Sequence, residues 1–231
     1  CHALGAKYYD KNKSKVGSCK YSDMATFSFH PLKSITTGEG GMITTSNKSY
    51  FEKIKLLRNH GILRKKSTSK KNYWSYDVVM PGYNYRMSDI NCALGFFKLK
   101  KINNFINKRK KIALYYSKKL KNFSALLKVP FYEKQFNSAW HLYIININFK
   151  KLKISKEIFI NKLYKKKIIT QVHYIPTFYQ SAHKELKKLK FKNAKKYFDN
   201  SLSLPIFYDL SKDNQNLVIN YIKKILQKFK K

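Results

Sequence analysis

The sequence of 231 residues contains few acidic residues and very few arginines. It has 12 aspartates and glutamates against 49 lysines and arginines, which gives a formal net charge of +37. Only four of these cations are arginines: Arg58, Arg64, Arg86 and Arg109. Because readout of base edges relies on the bidentate guanidinium, this scarcity argues against a nucleic-acid partner. The lysines are spread among Asn, Ile, Tyr and Phe, which favours a composition bias carried on solvated surfaces. A basic nucleic-acid-binding protein stays open as an alternative.

Cysteine and long apolar runs are also scarce. The three cysteines show no disulfide or metal-ligand spacing, so we expect no metal site and a reducing, cytoplasmic location. No apolar run approaches the length of a membrane span, and the N-terminus lacks the order of a signal peptide, so no membrane role is expected. The chain begins without Met in what reads as the middle of an ordered segment. We therefore expect a fragment.

The remaining composition is that of a folded protein, with 43% hydrophobic and 16% aromatic residues. Alternating β-prone residues predict strands at residues 25–29 and 42–45. Ser88 is a typical N-cap, and Ile90, Leu94 and Phe97 follow at helical spacing, which predicts a helix with its apolar side in a core. The second half alternates predicted strands and helices, including a strand at 168–173. The sequence thus predicts a mixed α/β protein of two domains.

One segment joins a strand, a lysine and a glycine-rich turn. The strand leads into Phe27-Ser28-Phe29-His30-Pro31-Leu32-Lys33, and Thr37-Gly38-Glu39-Gly40-Gly41 follows. The glycines provide the positive φ angles that a bend needs. A lysine on a loop behind a strand is held by a rigid scaffold and exposed to a cleft. His30 precedes a proline, and we expect it to orient this loop.

The lysine segment resembles that of fold-type-I pyridoxal-phosphate enzymes, and more narrowly that of the DegT/DnrJ-type sugar-nucleotide aminotransferases. The other segments that resemble this family, in the family's order, are Cys1-His2-Ala3-Leu4-Gly5-Ala6, Gly82-Tyr83-Asn84-Tyr85-Arg86-Met87-Ser88-Asp89, Trp140-His141-Leu142-Tyr143, Gln171-Val172-His173-Tyr174-Ile175-Pro176 and Ser203-Leu204-Pro205. The resemblance spans essentially the whole chain. It implies an α/β fold of the aspartate-aminotransferase type, with residues 1–114 as the latter part of the large cofactor-binding domain and residues 115–231 as a small C-terminal α+β domain.

The resemblance also implies a cofactor and the residues that hold it. Lys33 matches the catalytic lysine that forms a Schiff base with pyridoxal 5'-phosphate. Ser28 matches a serine that binds the cofactor phosphate, and His2 matches a residue that hydrogen-bonds the ring's phenolic oxygen. Asn84 matches a residue that reaches the phosphate from the neighbouring subunit, which implies a homodimer with shared active sites.

Three further residues are candidates for binding the substrate. Arg86 is suited to the substrate's phosphates or to holding the subunit interface, and both roles stay open. His173 and Tyr174 are candidates for lining the sugar-nucleotide pocket, with packing at a strand end as the alternative.

The activity implied is transfer of an amino group, with glutamate as the donor, to a nucleotide-linked 4-keto-6-deoxy sugar. The motifs at residues 171–174 and 203–206 favour the branch that acts on a UDP-linked N-acetylhexosamine in pseudaminic acid biosynthesis. Related perosamine- and viosamine-type aminotransferases are the alternative within the family. The acidic residue that pairs with the cofactor's pyridinium nitrogen matches a position ahead of Cys1, so we expect the 231 residues to be inactive on their own.

Overall fold

The computed structural model describes residues 1–64, 74–133 and 137–228, apart from the side chain of Lys187. The chain divides into two compact units at residues 103 and 104. The N-terminal unit comprises the described residues up to Asn103 together with Asn137 and Ser138, and the C-terminal unit comprises the others. This division lies ahead of the predicted boundary between residues 114 and 115. Its position follows from contacts such as that of Phe105 with Tyr208, whose ring centroids are 4.5 Å apart.

Over its described residues, the N-terminal unit holds two hairpins and two helices. Its elements are β1 (Met24–Ser28), β2 (Gly41–Thr45), α1 (Lys48–Arg58), β3 (Ile62–Leu63), β4 (Asp77–Val78) and α2 (Asp89–Lys100). Strands β1 and β2 pair in antiparallel fashion, as do β3 and β4. The two strands predicted on either side of the lysine loop are therefore confirmed.

Helix α2 begins as predicted but does not bury the predicted side. The Ser88 hydroxyl accepts a hydrogen bond from the Asn91 backbone N–H at 3.3 Å, which satisfies one of the helix's free donors. Ile90, Leu94 and Phe97 are 83%, 39% and 55% exposed, so the prediction of a core-facing apolar side is wrong for the described residues. Periodicity identifies an apolar side but not what covers it.

The C-terminal unit is built on a three-stranded antiparallel sheet in the order β5-β6-β7. Its elements are α3 (Ile102–Leu120), β5 (Leu127–Lys128), β6 (Tyr143–Ile147), α4 (Phe149–Leu152), α5 (Lys156–Tyr164), α6 (Lys192–Asn200), β7 (Ser201–Leu204) and α7 (Lys212–Lys228). The predicted strand at 168–173 is reduced to one bridge between Gln171 and Ser203, beside β7.

The hydrophobic core cluster lies entirely within the C-terminal unit. Tyr143, Ile145 and Ile147 alternate along β6 and are each 0% exposed. Leu202 and Leu204 of β7 join the same cluster. Successive strand residues point to opposite faces, so the serines between and before these leucines lie on the other face of the sheet. Over the described residues, no helix is both long and apolar enough to span a membrane.

Candidate active site

The lysine loop connects β1 to β2 and is held closed by backbone hydrogen bonds. Phe29 donates to the Gly40 carbonyl at 2.8 Å, and Thr37 donates to the Phe29 carbonyl at 3.0 Å. Phe29 and Thr37 are themselves 5% and 1% exposed. The loop that carries Lys33 is therefore anchored to a rigid hairpin rather than free in solution.

Gly40 is required where the loop rejoins β2. Its φ is +152°, and an added Cβ would lie 2.5 Å from Thr37 Oγ1 and 2.7 Å from Met87 Sδ. Thr37 Oγ1 donates to the Glu39 carbonyl at 2.6 Å, and Asn91 Nδ2 donates to the same carbonyl at 3.3 Å. The turn that follows the lysine is thus tied to the first turn of α2.

Lys33 and His2 meet in the N-terminal unit. Lys33 Nζ lies 3.0 Å from His2 Nε2, and both side chains are half-buried. No salt bridge joins Lys33 to a carboxylate within the described part of the chain. An amine held beside an imidazole on an anchored loop is placed for nucleophilic and proton-transfer chemistry.

Asp10 stabilises the loop that follows His2 by accepting hydrogen bonds. Asp10 accepts from the Ser14 backbone N–H at 2.7 Å and from Lys20 Nζ at 2.9 Å. The Lys20 ammonium, together with Ser14, holds the pKa of the Asp10 carboxyl well below its ordinary value. This carboxylate organises the loop around it.

His30 connects the two ends of the lysine loop. Its Nδ1 accepts from the Leu32 backbone N–H at 3.2 Å, and its Nε2 lies 3.8 Å from Glu39 Oε1. An Nδ1 that accepts a hydrogen bond has no proton, so the neutral ring carries its proton on Nε2, facing the Glu39 carboxylate. The contacts are those expected of a residue that orients the loop.

Ser28 closes β1, one position before Phe29. Its Oγ accepts weakly from the His30 backbone N–H, at 3.5 Å. Its side chain is half-buried, whereas its two neighbours in the sequence, Phe27 and Phe29, are buried. The hydroxyl therefore lies on the opposite face of the strand from these two phenylalanines.

Asn84 and Arg86 lie in a separate exposed segment of the same unit. Asn84 forms a backbone bridge with Asn59, and Arg86 Nη1 donates to Asn59 Oδ1 at 2.7 Å. The rings of Tyr83 and Tyr85 stack with centroids 4.8 Å apart and planes 7° from parallel. The segment thus presents an ordered polar surface.

His173 and Tyr174 belong to the C-terminal unit. His173 Nδ1 lies 2.7 Å from Ser203 Oγ, and the rings of His173 and Tyr174 meet edge to face with centroids 4.8 Å apart. His173 is half-buried, and Tyr174 is 62% exposed. The structure thus brings Lys33, His2 and Ser28 into one unit and this aromatic pair into the other.

No role was predicted from the sequence for Thr37 and Ser203, which organise these sites, or for Arg109, which is buried in the C-terminal unit. Thr37 and Ser203 both lie inside the motifs given above, and Ser203 is recognisable in the sequence as a polar residue between two leucines. Arg109 is 6% exposed and stood out only as one of four arginines among many lysines.

A family model decides the class of the protein. The model of the DegT/DnrJ/EryC1/StrS aminotransferase family matches residues 1–223. The chain belongs to this family. A UDP-4-amino-4,6-dideoxy-N-acetyl-beta-L-altrosamine transaminase of Campylobacter jejuni is 40% identical over 100% of the chain and 58% of the relative's length.

Solved structures agree with the family assignment. Helicobacter pylori PseC, an aminotransferase involved in the biosynthesis of pseudoaminic acid, superposes with a TM-score of 0.87 and is 31% identical over 98% of this chain and 58% of PseC. The PLP-form of Spr1654, a putative sugar aminotransferase of Streptococcus pneumoniae, gives a TM-score of 0.82 at 27% identity, over 99% of this chain and 56% of Spr1654. The predicted fold-type-I class is confirmed. The chain spans 58% of the length of the curated relatives it matches.

Proposed function

We propose that this chain carries the cofactor lysine, Lys33, of a pyridoxal-phosphate-dependent sugar-nucleotide aminotransferase. The observation that supports the proposal most is the 3.0 Å approach of Lys33 Nζ to His2 Nε2 on a loop anchored to a hairpin. Family membership supplies the reaction class, and the anchored loop supplies the fixed geometry that such chemistry needs.

The described residues fit pyridoxal 5'-phosphate. A half-buried amine without a carboxylate partner suits the cofactor aldehyde, and the half-buried Ser28 hydroxyl suits its phosphate. When bound, the cofactor supplies an electron sink for the carbon that loses its proton. Lys33 Nζ would be the atom that carries the proton, and the neighbouring His2, 3.0 Å away, would keep the amine oriented.

The other predicted residues have roles that follow from the family. In this proposal His2 contacts the cofactor ring, and Asn84 contacts the phosphate of the partner subunit's cofactor. Arg86 contacts substrate phosphate or holds the subunit interface, and His173 and Tyr174 line the sugar-nucleotide pocket. Asn84 and Arg86 are exposed, which leaves them accessible to a second copy of the chain. The proposed assembly is therefore a homodimer.

The substrate is a nucleotide-linked 4-keto-6-deoxy sugar, and the donor is glutamate. Relatives named as altrosamine transaminases, at 40% and 39% identity, favour a UDP-linked N-acetylhexosamine. The chain's excess of cations favours an anionic substrate by long-range attraction.

The test is amino transfer by the protein expressed from its complete reading frame. UDP-, GDP- and dTDP-linked 4-keto-6-deoxy sugars are each incubated with glutamate and the cofactor, and the aminated sugar is measured by mass spectrometry. We expect product from the UDP-linked sugar, and none in the Lys33→Ala variant. Preference for the GDP- or dTDP-linked sugar would assign the perosamine or viosamine type instead. Tight, salt-dependent DNA binding with no amino transfer would contradict the proposal.

A further inference from the structure

One hydroxyl of the C-terminal unit contacts a residue proposed to bind substrate. Ser203 Oγ lies 2.7 Å from His173 Nδ1, a short hydrogen bond. Ser203 is 4% exposed, whereas Tyr174, which follows His173 in the sequence, is 62% exposed. The bond therefore joins a buried strand to a pair of rings that a solute can reach.

Ser203 is a fixed point in the sheet. Its backbone N–H donates to the Gln171 carbonyl at 2.8 Å, and its carbonyl accepts from the Gln171 N–H at 3.1 Å. On its other side it is paired with Ile144 of β6. A residue that is hydrogen-bonded to Gln171 on one side and flanked by β6 on the other has little freedom to move, so its hydroxyl provides a stationary partner for the imidazole.

Packing alone does not explain a serine at this position. A buried hydroxyl costs free energy unless it forms a hydrogen bond, and alanine would fill a similar volume without that cost. An imidazole whose Nδ1 is hydrogen-bonded has the orientation of its ring plane restricted by that bond. The edge of the Tyr174 ring confines the same imidazole from a second direction.

We propose that Ser203 is a positioning residue that fixes the ring of His173 and thereby sets the affinity for the UDP-linked sugar. The inference rests on the proposed function, since His173 binds substrate only in that proposal. Ser203 acts through His173 and does not itself contact the substrate.

The experiment compares Ser203→Ala with Ser201→Ala. Ser201 is the matched control because it is a 2% exposed serine on the same face of β7, two residues earlier. UDP-N-acetylglucosamine is the probe, and its dissociation constant is measured by calorimetry. We expect Ser203→Ala to weaken binding about three- to tenfold, the effect of one oriented hydrogen bond, and Ser201→Ala to leave it unchanged. Ser203→Thr keeps the hydroxyl and restores binding.

Two readouts separate positioning from a purely structural role. The ring ¹⁵N shifts of His173 change in Ser203→Ala but not in Ser201→Ala. In a His173→Gln background, Ser203→Ala has no further effect on probe affinity, because the group it positions is gone. If Ser203→Ala does not fold, Ser203→Cys takes its place, since a thiol is a weak hydrogen-bonding group.

Several results would overturn the inference. They are equal affinities for Ser203→Ala and Ser201→Ala, an effect that persists in the His173→Gln background, or a wild-type protein that does not bind the probe. Uptake of pyridoxal phosphate at Lys33 is measured on the same samples. Uptake without any Ser203 effect refutes this inference alone, whereas absence of uptake refutes the proposed function.

Discussion

Replacing Arg109 by methionine should destabilise the C-terminal unit strongly. Arg109 is 6% exposed, and its Nη1 donates to the carbonyls of Ile206 at 2.9 Å, His141 at 3.1 Å and Trp140 at 3.3 Å. The arginine thereby ties helix α3 to two separate loops. One of these loops contains Trp140 with φ at +48°, a conformation that is unfavourable for residues other than glycine.

The magnitude follows from the two shorter bonds. A hydrogen bond from a charged donor contributes about 1.5–3 kcal/mol, so losing two costs roughly 3–6 kcal/mol. Part of this is offset, because burial of the cation itself is unfavourable and lowers the pKa of Arg109. We expect a net loss of about 3 kcal/mol in the free energy of unfolding.

Urea unfolding followed by tryptophan fluorescence measures the loss. The two tryptophans differ in environment: Trp140 is 5% exposed and Trp74 is 67% exposed. A Trp74→Phe background makes the signal specific to the C-terminal unit. With a slope of about 1–3 kcal/mol/M, the midpoint of Arg109→Met should fall by about 1–3 M.

The matched control is Lys111→Met, which removes an exposed cation from the same helix. It should change the free energy of unfolding by less than about 0.5 kcal/mol. Arg109→Lys keeps the charge but not the planar fork, and it should fall between the two. If Arg109→Met were as stable as Lys111→Met, the carbonyl contacts would not stabilise the unit and the reasoning would be refuted.

Three further predictions concern stability at high pH, packing against the lysine loop, and folding of the C-terminal unit on its own. Burial raises the pKa values of the Tyr116 and Tyr143 hydroxyls, so these groups ionise at lower pH in the unfolded chain, and the free energy of unfolding should decline above about pH 10. In a variant with both tyrosines replaced by Phe, the free energy of unfolding should decline less, and equal declines would contradict this. Gly95→Val should reduce cofactor uptake, because an added Cβ would lie 2.6 Å from Cγ2 of Thr37 in the lysine loop, and it should leave the stability of the C-terminal unit unchanged. Unchanged uptake in a calorimetric titration would contradict this prediction. A protein of residues 104–228 should unfold cooperatively in urea, since the core cluster lies within it, and a non-cooperative transition would show that it needs the other unit.

The sequence was informative where local chemistry determines structure. The hairpin around Lys33 follows from β-prone residues on both sides of a glycine-rich turn, and the start of α2 follows from the Ser88 cap. The approach of His2 to Lys33 joins residues 31 positions apart, and the motif resemblance pointed to it only through a shared cofactor.

Long-range burial was harder to anticipate. Ile90 and Phe97 have the spacing of core residues, yet they are exposed in the described chain, because periodicity does not specify a partner surface. Arg109 looked like one cation among many, and its burial depends on carbonyls from residues 140, 141 and 206 that only the fold brings together. The strand predicted at 168–173 shrank to one bridge because only Gln171 pairs with β7.

The most direct test of the proposed cofactor site is covalent trapping at Lys33. The protein is mixed with one equivalent of pyridoxal phosphate, reduced with borohydride and digested, and the modified lysine is located by mass spectrometry. We predict that the phosphopyridoxyl group is found on Lys33, that Lys33→Ala abolishes it, and that Lys11→Ala, which removes an exposed lysine of the same unit, leaves it unchanged. Labelling spread over many lysines, and equal in wild type and Lys33→Ala, would contradict the assignment.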